Sequence, residues 1–263
     1  MSIPRILIIA GSDSGGGAGI QADIRTVTML GGHAMTAITA ITAQNTLGVT
    51  AIHPVPVETV LAQIDAVTSD IGVDAVKIGM IGSARIADAV AERLEALDCP
   101  IVFDPVMIAT SGAPLADDAT VAAFERLMAL ASVVTPNRPE LQALGGRAAV
   151  LRFGCHLADK GGHGEGDEIV DRLYAPKDRL VMEVSAERIH TTDTHGTGCT
   201  FATALATGLG AGLGIGDAFV QAVRFVRLAI VNAPGLGEGH GPIGHALGMV
   251  PFDVIDDEDD DDA

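Results

Sequence analysis

The chain has 263 residues, a formal net charge of −18 at pH 7, no tryptophan and three cysteines. Its acidity argues against nucleic-acid binding, because phosphate contacts require clustered lysine and arginine. Cys99, Cys155 and Cys199 show no CxxC spacing, which argues against a disulfide framework and predicts a reducing, cytoplasmic location. No uninterrupted run of 18 apolar residues occurs, so the sequence predicts no membrane span.

Short β-branched runs alternate with longer segments of helical period, which predicts βαβ units and a mostly parallel sheet. The predicted strands cover residues 5–10, 34–43, 74–80, 100–106 and 132–136. The predicted helices cover residues 18–30, 57–71, 83–97, 117–130, 197–209 and 215–233, with Ser83 as an N-cap. In the least regular region, residues 168–174 and 181–189 are candidates for antiparallel strands.

The chain shows neither a linker rich in Pro, Gly and Ser nor an internal repeat. We therefore predict a single domain over residues 1–253. The remaining residues, 254–263, contain the run DDEDDDD, which predicts a disordered, self-repelling tail. Electrostatic contact with a basic partner is the alternative for this tail.

A glycine-rich loop, GSDSGGGAG at Gly11–Gly19, connects the first predicted strand to the first predicted helix. In an open α/β sheet, ligands bind at this edge. The loop lacks the Gly-Lys-Ser/Thr of a P-loop. Two interpretations stay open: a flexible turn, or a binding loop whose glycines let the backbone approach a ligand closely.

A second glycine motif, DTHGTGCT at Asp193–Thr200, opens a predicted helix. Gly196, Thr197 and Gly198 can present backbone N–H groups where the helix dipole is positive, which predicts an anion hole. Cys199 stands in the first helical turn, and we expect the dipole to lower its thiol pKa. A small buried hydrophobe is the alternative interpretation of Cys199.

Polar residues after two other predicted strands are candidates for nucleotide and metal binding. Asn137 and Glu140 in TPNRPE offer the hard oxygen ligands that Mg²⁺ takes, usually through waters. Asn followed by Glu at the third position also forms an ordinary capping box. Lys160 in KGGH is a candidate phosphate ligand or an exposed residue. The eight histidines show no HxxxH spacing, so no zinc site is expected.

Eight motifs stand in one order along the chain: AGSDSGGGAGIQADIRT (10–26), AITAQNTLG (40–48), KIGM (77–80), DPVMIATSG (104–112), TPNRPE (135–140), KGGH (160–163), THGTGCT (194–200) and GHGP (239–242). In this combination the chain resembles the bacterial hydroxymethylpyrimidine/phosphomethylpyrimidine kinases of thiamine biosynthesis. The resemblance extends from residue 4 to about residue 245. Any one motif alone would be weak evidence, but eight in order are specific.

This resemblance implies a ribokinase-like α/β fold, with a central, mostly parallel sheet flanked by helices on both faces, and a homodimer. It implies ATP and Mg²⁺ as cofactors, with a monovalent cation as a further candidate. It also implies two reactions at one site. ATP phosphorylates the hydroxymethyl group of 4-amino-5-hydroxymethyl-2-methylpyrimidine, and then converts the monophosphate to the diphosphate.

The resemblance also assigns roles to individual residues. The Gln44 amide matches the group that reads the aminopyrimidine, since it offers both donors and an acceptor. Asn137 and Lys160 match nucleotide and phosphate contacts, and Glu140 matches a water-mediated Mg²⁺ ligand. Cys199 matches the proposed base, where sugar kinases carry Asp. Five further positions match the pyrimidine pocket: Gly11, Ala18, Asp23, Met80 and Val106. Three match the anion hole: Gly196, Thr197 and Gly198.

Two departures from the family pattern concern the phosphate side of the site. Residues 137–160 form a shorter segment than is usual, and CHLAD precedes Lys160 where the family has a run such as Val-Leu-Val. This puts one outer helix and the placement of Lys160 in question. Thr110 stands where the family often has Lys, so the second phosphorylation is expected to be weaker.

Two alternative functions stay open. The first is a pyridoxine/pyridoxal kinase of the same superfamily, which Gln44 and the complete first loop disfavour. The second is a non-catalytic ligand-sensing module. Retention of Asn137, Glu140, the anion hole and Cys199 disfavours that second alternative.

Overall fold

A mixed β-sheet of nine strands forms the centre of the computed structural model, which describes residues 3–109, 112–163 and 166–247. The predictions for Thr110 and for the tail at 254–263 lie outside these ranges. The strands are β1 (Arg5–Asp13), β2 (His33–Asn45), β3 (Gly48–Pro54), β4 (Ala75–Ile78), β5 (Ile101–Phe103), β6 (Val133–Val134), β7 (His156–Asp159), β8 (Glu168–Ala175) and β9 (Arg179–Glu187).

Parallel strands occupy the middle of the sheet, and antiparallel strands close its two edges. The spatial order is β3-β2-β1-β4-β5-β6-β7-β8-β9. Strands β2, β1 and β4 to β7 pair in parallel, whereas β3, β8 and β9 pair antiparallel to their neighbours. The chain steps outward from β1 to β2 and then returns to place β4 on the other side of β1. This reversal is a topological switch point, where open α/β sheets bind ligands beyond the carboxyl ends of their strands.

The helices lie between and after the strands, as the alternating pattern predicts. They are α1 (Gly19–Met29), α2 (Val57–Asp70), α3 (Ala84–Leu94), α4 (Asp118–Leu130), α5 (Arg138–Ala143), α6 (Arg147–Leu151), α7 (Thr197–Gly210) and α8 (Ile215–Val231). Ser83 caps α3 as predicted, because its hydroxyl accepts from the Ile86 N–H at 3.3 Å. None of the helices within the described ranges is long and apolar enough to cross a membrane.

Helices cover both faces of the sheet, as the predicted fold class requires. Strand β1 is buried throughout its apolar run, and alternate side chains point to opposite faces. Leu7 and Ile9 pack into a core that includes residues of α2, α3 and α4. Ile6 and Ile8 pack into a second core with residues of α1, α7 and α8. A strand that is buried on both faces has a continuous run of apolar residues, and for this reason the first strand could be predicted from the sequence.

Three features at the periphery differ from or refine the sequence prediction. The candidate antiparallel strands are confirmed as β8 and β9, which pair along their length. Strand β3 was not predicted, because Gly48–Pro54 is mostly exposed at the sheet edge. The shortened segment holds only the brief helices α5 and α6 before β7. Even so, β7 pairs in parallel with β6, so Lys160 still follows the carboxyl end of a central strand.

Candidate active site

A cavity of about 610 Å³ opens at the carboxyl edge of the parallel strands. Its wall includes residues just beyond β4, β5, β6 and β7, together with the end of β1 and the first turn of α7. This volume is typical of a small-molecule site. Twelve of the thirteen predicted site residues line it: Gly11, Ala18, Gln44, Met80, Val106, Asn137, Glu140, Lys160, Gly196, Thr197, Gly198 and Cys199.

Asp23 is the exception, because it is not among the residues that line the cavity. Its side chain is fully buried below the cavity, where it accepts from Lys77 Nζ at 2.7 Å and from the Thr203 hydroxyl at 2.6 Å. Burial alone would lower the pKa of Lys77, but the Asp23 carboxylate raises it above its ordinary value. The pair is therefore an ion pair whose charges satisfy each other, as a buried charge requires.

The predicted anion hole lies at the start of α7. Gly196 is the N-cap and has a left-handed backbone, with φ 89°. A Cβ there would overlap the Gly17 carbonyl oxygen, so only glycine fits the contact between this turn and the first loop. The Thr197 N–H already contacts the Thr194 carbonyl oxygen at 3.3 Å. The following N–H groups of the first turn are those that a helix leaves for an external acceptor.

Cys199 does not have the low thiol pKa that its place in the helix suggested. Burial raises the pKa of the thiol to about 11, and the carboxylates of Asp23 and Asp104 act in the same direction. Lys77 and a hydrogen bond from the Gly19 backbone lower it, but by less. The expectation was wrong because loss of solvent disfavours the thiolate more strongly than the helix end favours it.

Asp104, Glu140 and Lys160 form a charged cluster beside the first turn of α7, where a Cβ on Gly198 would lie 3.7 Å from Lys160 Nζ. Lys160 Nζ lies 3.6 Å from Asp104 Oδ1, and Asp104 also accepts from the Thr135 hydroxyl at 3.0 Å. Burial raises the pKa of Glu140, and so does the Asp104 charge, whereas Lys160 lowers it. The cluster thus holds two carboxylates near one ammonium, which favours a further cation.

Asn137 and Glu140 form the capping box that was weighed against a metal role. Asn137 Oδ1 accepts from the Glu140 N–H at 2.9 Å, and Glu140 Oε2 accepts from the Asn137 N–H at 2.8 Å. Both residues nevertheless line the cavity. The box fixes the Glu140 carboxylate at the entrance of α5, so the two interpretations of this motif are compatible.

Gln44 lines the same cavity and lies beside two residues that were not predicted from the sequence, Asp13 and His195. Its amide nitrogen lies 3.3 Å from His195 Nε2, and His195 Nε2 lies 2.9 Å from Asp13 Oδ2. His195 precedes the anion hole, and its backbone N–H donates to the Gly241 carbonyl in the GHGP turn at 3.1 Å. The available signal was position: Asp13 and His195 each lie inside a glycine motif at the ligand edge.

Comparison with known proteins agrees with this geometry. The phosphomethylpyrimidine kinase family model matches residues 13–244. The chain is 46% identical to the hydroxymethylpyrimidine/phosphomethylpyrimidine kinase of Bacillus subtilis (strain 168), over 93% of this chain and 96% of that protein. It is also 46% identical to the thiamine biosynthesis bifunctional protein ThiED of Geobacter sulfurreducens, over 92% of this chain and 52% of that protein.

Among solved structures, the chain is similar to the ADP complex of Bacillus subtilis pyridoxal kinase. The TM-score is 0.85 at 31% identity, over 93% of this chain and 98% of that one. This likeness confirms the ribokinase-like α/β fold, while the sequence identity is higher to the pyrimidine kinases. By fold, by the match across 13–244 and by these relatives, the chain belongs to the phosphomethylpyrimidine kinase family.

Proposed function

We propose that the chain transfers the γ-phosphoryl group of ATP to 4-amino-5-hydroxymethyl-2-methylpyrimidine, and then phosphorylates the monophosphate to the diphosphate, in thiamine biosynthesis. The observation that carries this proposal is the arrangement of one cavity. The Gln44 amide, the helix start at Gly196–Gly198 and Lys160 all line it. A small ring with an amino group and a nearby ring nitrogen complements the amide.

The pyrimidine would occupy the wall built from the first loop and the strand ends. Gly11 and Met80 pack closely there, since a Cβ on Gly11 would lie 3.0 Å from Met80 Sδ. Together with Ala18 and Val106 they form an apolar surface suited to a flat ring. Asp23 would support this wall from below, through its ion pair with Lys77.

The phosphates of ATP would lie along the first turn of α7, within reach of Lys160. Gly198 belongs at this point, because a Cβ there would sit 3.7 Å from Lys160 Nζ and 3.8 Å from Asp104 Oδ2. A larger side chain would fill the space that a phosphoryl group needs. Backbone N–H groups fixed before the reaction stabilise developing charge without reorganising.

Magnesium fits the Asp104–Glu140 side of the cavity. Carboxylate and amide oxygens are the donors that Mg²⁺ takes, and it keeps waters and substrate phosphates as further ligands. Asp104, Glu140 and Asn137 supply such oxygens here. In the part of the chain that the structure describes, no three His, Cys, Asp or Glu side chains cluster to hold a metal. The ion would therefore arrive with the nucleotide and neutralise its charge.

In the transfer itself, the substrate hydroxyl oxygen bonds to the γ-phosphorus while the bond from that phosphorus to the bridging oxygen breaks and ADP leaves. Phosphoryl transfer passes through a loose transition state, so positioning and charge stabilisation do most of the catalysis. The hydroxyl proton leaves late, and we assign it to the Cys199 sulfur. Because burial raises the pKa of this thiol to about 11, only its minor thiolate form can accept that proton.

The test compares three acceptors in an ADP-release assay: the hydroxymethylpyrimidine, pyridoxal and ribose. The likeness to a pyridoxal kinase fold makes pyridoxal the relevant competitor. We expect the pyrimidine to have the highest kcat/KM, and Gln44→Ala to weaken its binding by about 1–3 kcal/mol through unpaired polar groups. The KM for ATP should stay unchanged. A wild-type preference for pyridoxal, or an unaltered pyrimidine KM in Gln44→Ala, would contradict the proposal.

The assembly and surroundings of the enzyme belong to the same proposal. We expect a homodimer in the cytoplasm, a single domain over 1–253, and a monovalent cation as a candidate activator. Light scattering after size-exclusion chromatography measures the oligomer. Turnover in potassium, sodium and choline salts at equal ionic strength tests the monovalent cation.

A further inference from the structure

Asp13 collects hydrogen-bond donors from its own loop. Its Oδ1 accepts from the Gly15 N–H at 2.8 Å, and its Oδ2 accepts from the N–H groups of Gly17 at 3.1 Å and Ala18 at 2.8 Å. Burial alone would raise the pKa of Asp13, but His195 and the backbone N–H groups of Ala18 and Gly15 bring it below its ordinary value. The carboxylate is therefore ionised and can only accept hydrogen bonds.

This fixes the proton on His195. Its Nε2 lies 2.9 Å from Asp13 Oδ2, so Nε2 must carry the hydrogen that the carboxylate accepts. The same Nε2 lies 3.3 Å from a terminal atom of the Gln44 amide, which the structure assigns as nitrogen. Two donors cannot bond to each other. The oxygen and nitrogen of an amide have nearly the same shape, so hydrogen-bond chemistry decides which atom belongs there.

The contact at the other terminal atom of the Gln44 amide independently indicates the same orientation. The Thr42 hydroxyl lies 3.0 Å from the Ser12 carbonyl oxygen and 3.1 Å from the Gln44 amide oxygen. A carbonyl can only accept, so the single hydroxyl proton of Thr42 satisfies Ser12. Both contacts are hydrogen bonds at once only if the atom of Gln44 that faces Thr42 is a donor, which is the amide nitrogen. Thr42 is buried, with 4% of its surface exposed, so solvent offers little substitute.

We propose that Thr42 and His195 lock the Gln44 amide with its oxygen toward His195 and its nitrogen toward Thr42, and so make the site selective for a 4-amino over a 4-oxo pyrimidine. The resulting chain of hydrogen bonds runs from Ser12 through Thr42, Gln44 and His195 to Asp13. His195 Nε2 shares its one hydrogen between Asp13 Oδ2 at 2.9 Å and the Gln44 oxygen at 3.3 Å, and each of the other links has one donor and one acceptor. Thr42 and His195 are positioning residues, since they act on the substrate through Gln44.

The chemical consequence is discrimination between two rings of the same shape. A 4-aminopyrimidine presents a ring-nitrogen acceptor beside an amino donor, whereas its 4-oxo analogue presents a ring N–H donor beside a carbonyl acceptor. A freely rotating glutamine amide could turn over to suit either ring. A locked amide leaves buried polar groups unpaired against the 4-oxo ring, which is the strongest source of selectivity between such analogues. This inference rests on the proposed function.

The kinetic test compares the wild type with Thr42→Val, which removes the hydroxyl and keeps the shape. Thr39→Val is the matched control. Thr39 is on the same strand and fully buried, and its hydroxyl donates to the Met80 carbonyl at 2.6 Å rather than to Gln44. We expect the ratio of kcat/KM for the 4-amino ring to that for the 4-oxo ring to fall about tenfold in Thr42→Val. The ratio should hold in Thr39→Val. An unchanged ratio in a folded Thr42→Val overturns the proposal.

A second measurement needs neither a variant nor a substrate. In the free protein labelled at glutamine, the Gln44 side-chain amide protons should show nuclear Overhauser contacts to the Thr42 methyl group. Contacts to the His195 ring protons instead would place the nitrogen at the histidine and overturn the proposal. Because this readout is independent of turnover, it separates the two hypotheses. Wild-type inactivity on the pyrimidine would reject the proposed function and leave the amide orientation to be decided by the spectrum.

Discussion

The pH dependence of phosphoryl transfer should report the protonation state of Cys199. Burial raises the pKa of this thiol to about 11. At pH 7.5, about one molecule in 3,000 then carries the thiolate, and forming it costs about 5 kcal/mol at roughly 1.4 kcal/mol per pH unit. If that thiolate accepts the substrate proton, the rate of the chemical step should rise about tenfold per pH unit between pH 7 and pH 9.5, with no plateau.

Single-turnover quench-flow at saturating Mg-ATP and pyrimidine isolates the chemical step from product release. Cys199→Ala should give a flat profile, so the gap between the two proteins should widen as pH rises. Cys99→Ala is the matched control, because Cys99 is also a half-buried thiol with its pKa raised by burial to about 11. Slow alkylation of Cys199 by iodoacetamide at pH 7.5 checks the thiol pKa without catalysis.

A plateau at or below pH 8.5 would refute the argument from burial and restore the low pKa expected from the helix end. A tenfold slope that persists in Cys199→Ala would assign the proton to another group. Asp23 is a poor substitute, because its two oxygens are bonded to Lys77 and Thr203 below the cavity. Asp104, whose carboxylate lines the cavity, would be the next acceptor to test.

Two further predictions concern the anion hole and the acid stability of the fold. Gly196→Ala should abolish turnover, since its Cβ would overlap the Gly17 carbonyl oxygen. The control variant Gly146→Ala should keep kcat, because Gly146 has a similar φ of 87° but open space around it. Equal kcat values in the two variants would contradict this prediction. Burial lowers the pKa of His245 to about 4, so its neutral ring stabilises the fold above about pH 6.5. That stability, about 3 kcal/mol, is lost as pH falls through 4. His245→Gln should lose less stability between pH 7 and pH 4 in urea titrations, and an equal loss would contradict the assignment.

The elements that were predicted best from the sequence are those whose buried residues follow one regular pattern along the whole element. The apolar run in β1 and the amphipathic α3 with its Ser83 cap are of this kind. Strand β3 was missed because an exposed edge strand needs no apolar face. Strand β6 spans only Val133–Val134, inside the strand predicted over residues 132–136. Its place in the sheet comes from neighbours on both sides, which are distant in sequence.

The same distinction between local and long-range information applies to the residues of the candidate site. Residues that follow a strand or open a helix, such as Asn137 and Gly198, could be placed on the ligand edge from local pattern alone. Pairs that meet across the sequence could not: Asp13 with His195, and Asp23 with Lys77. Lys77 did leave a signal, because a lysine inside the buried strand AVKI requires a buried counter-charge. The Cys199 pKa failed for a related reason, since desolvation depends on the whole fold.

The glycines of the first loop, Gly11–Gly19, allow the loop to fold into its own conformation as well as allowing a ligand to approach its backbone closely. Gly16 has a left-handed backbone with φ 74°, and a Cβ on Gly17 would overlap the His195 ring. These two positions let the loop fold back on Asp13, whose carboxylate then holds three backbone N–H groups. Ordering a residue's backbone costs about 1–2 kcal/mol. The loop loses this conformational entropy when the protein folds, so a pyrimidine that binds this wall does not have to order the loop again.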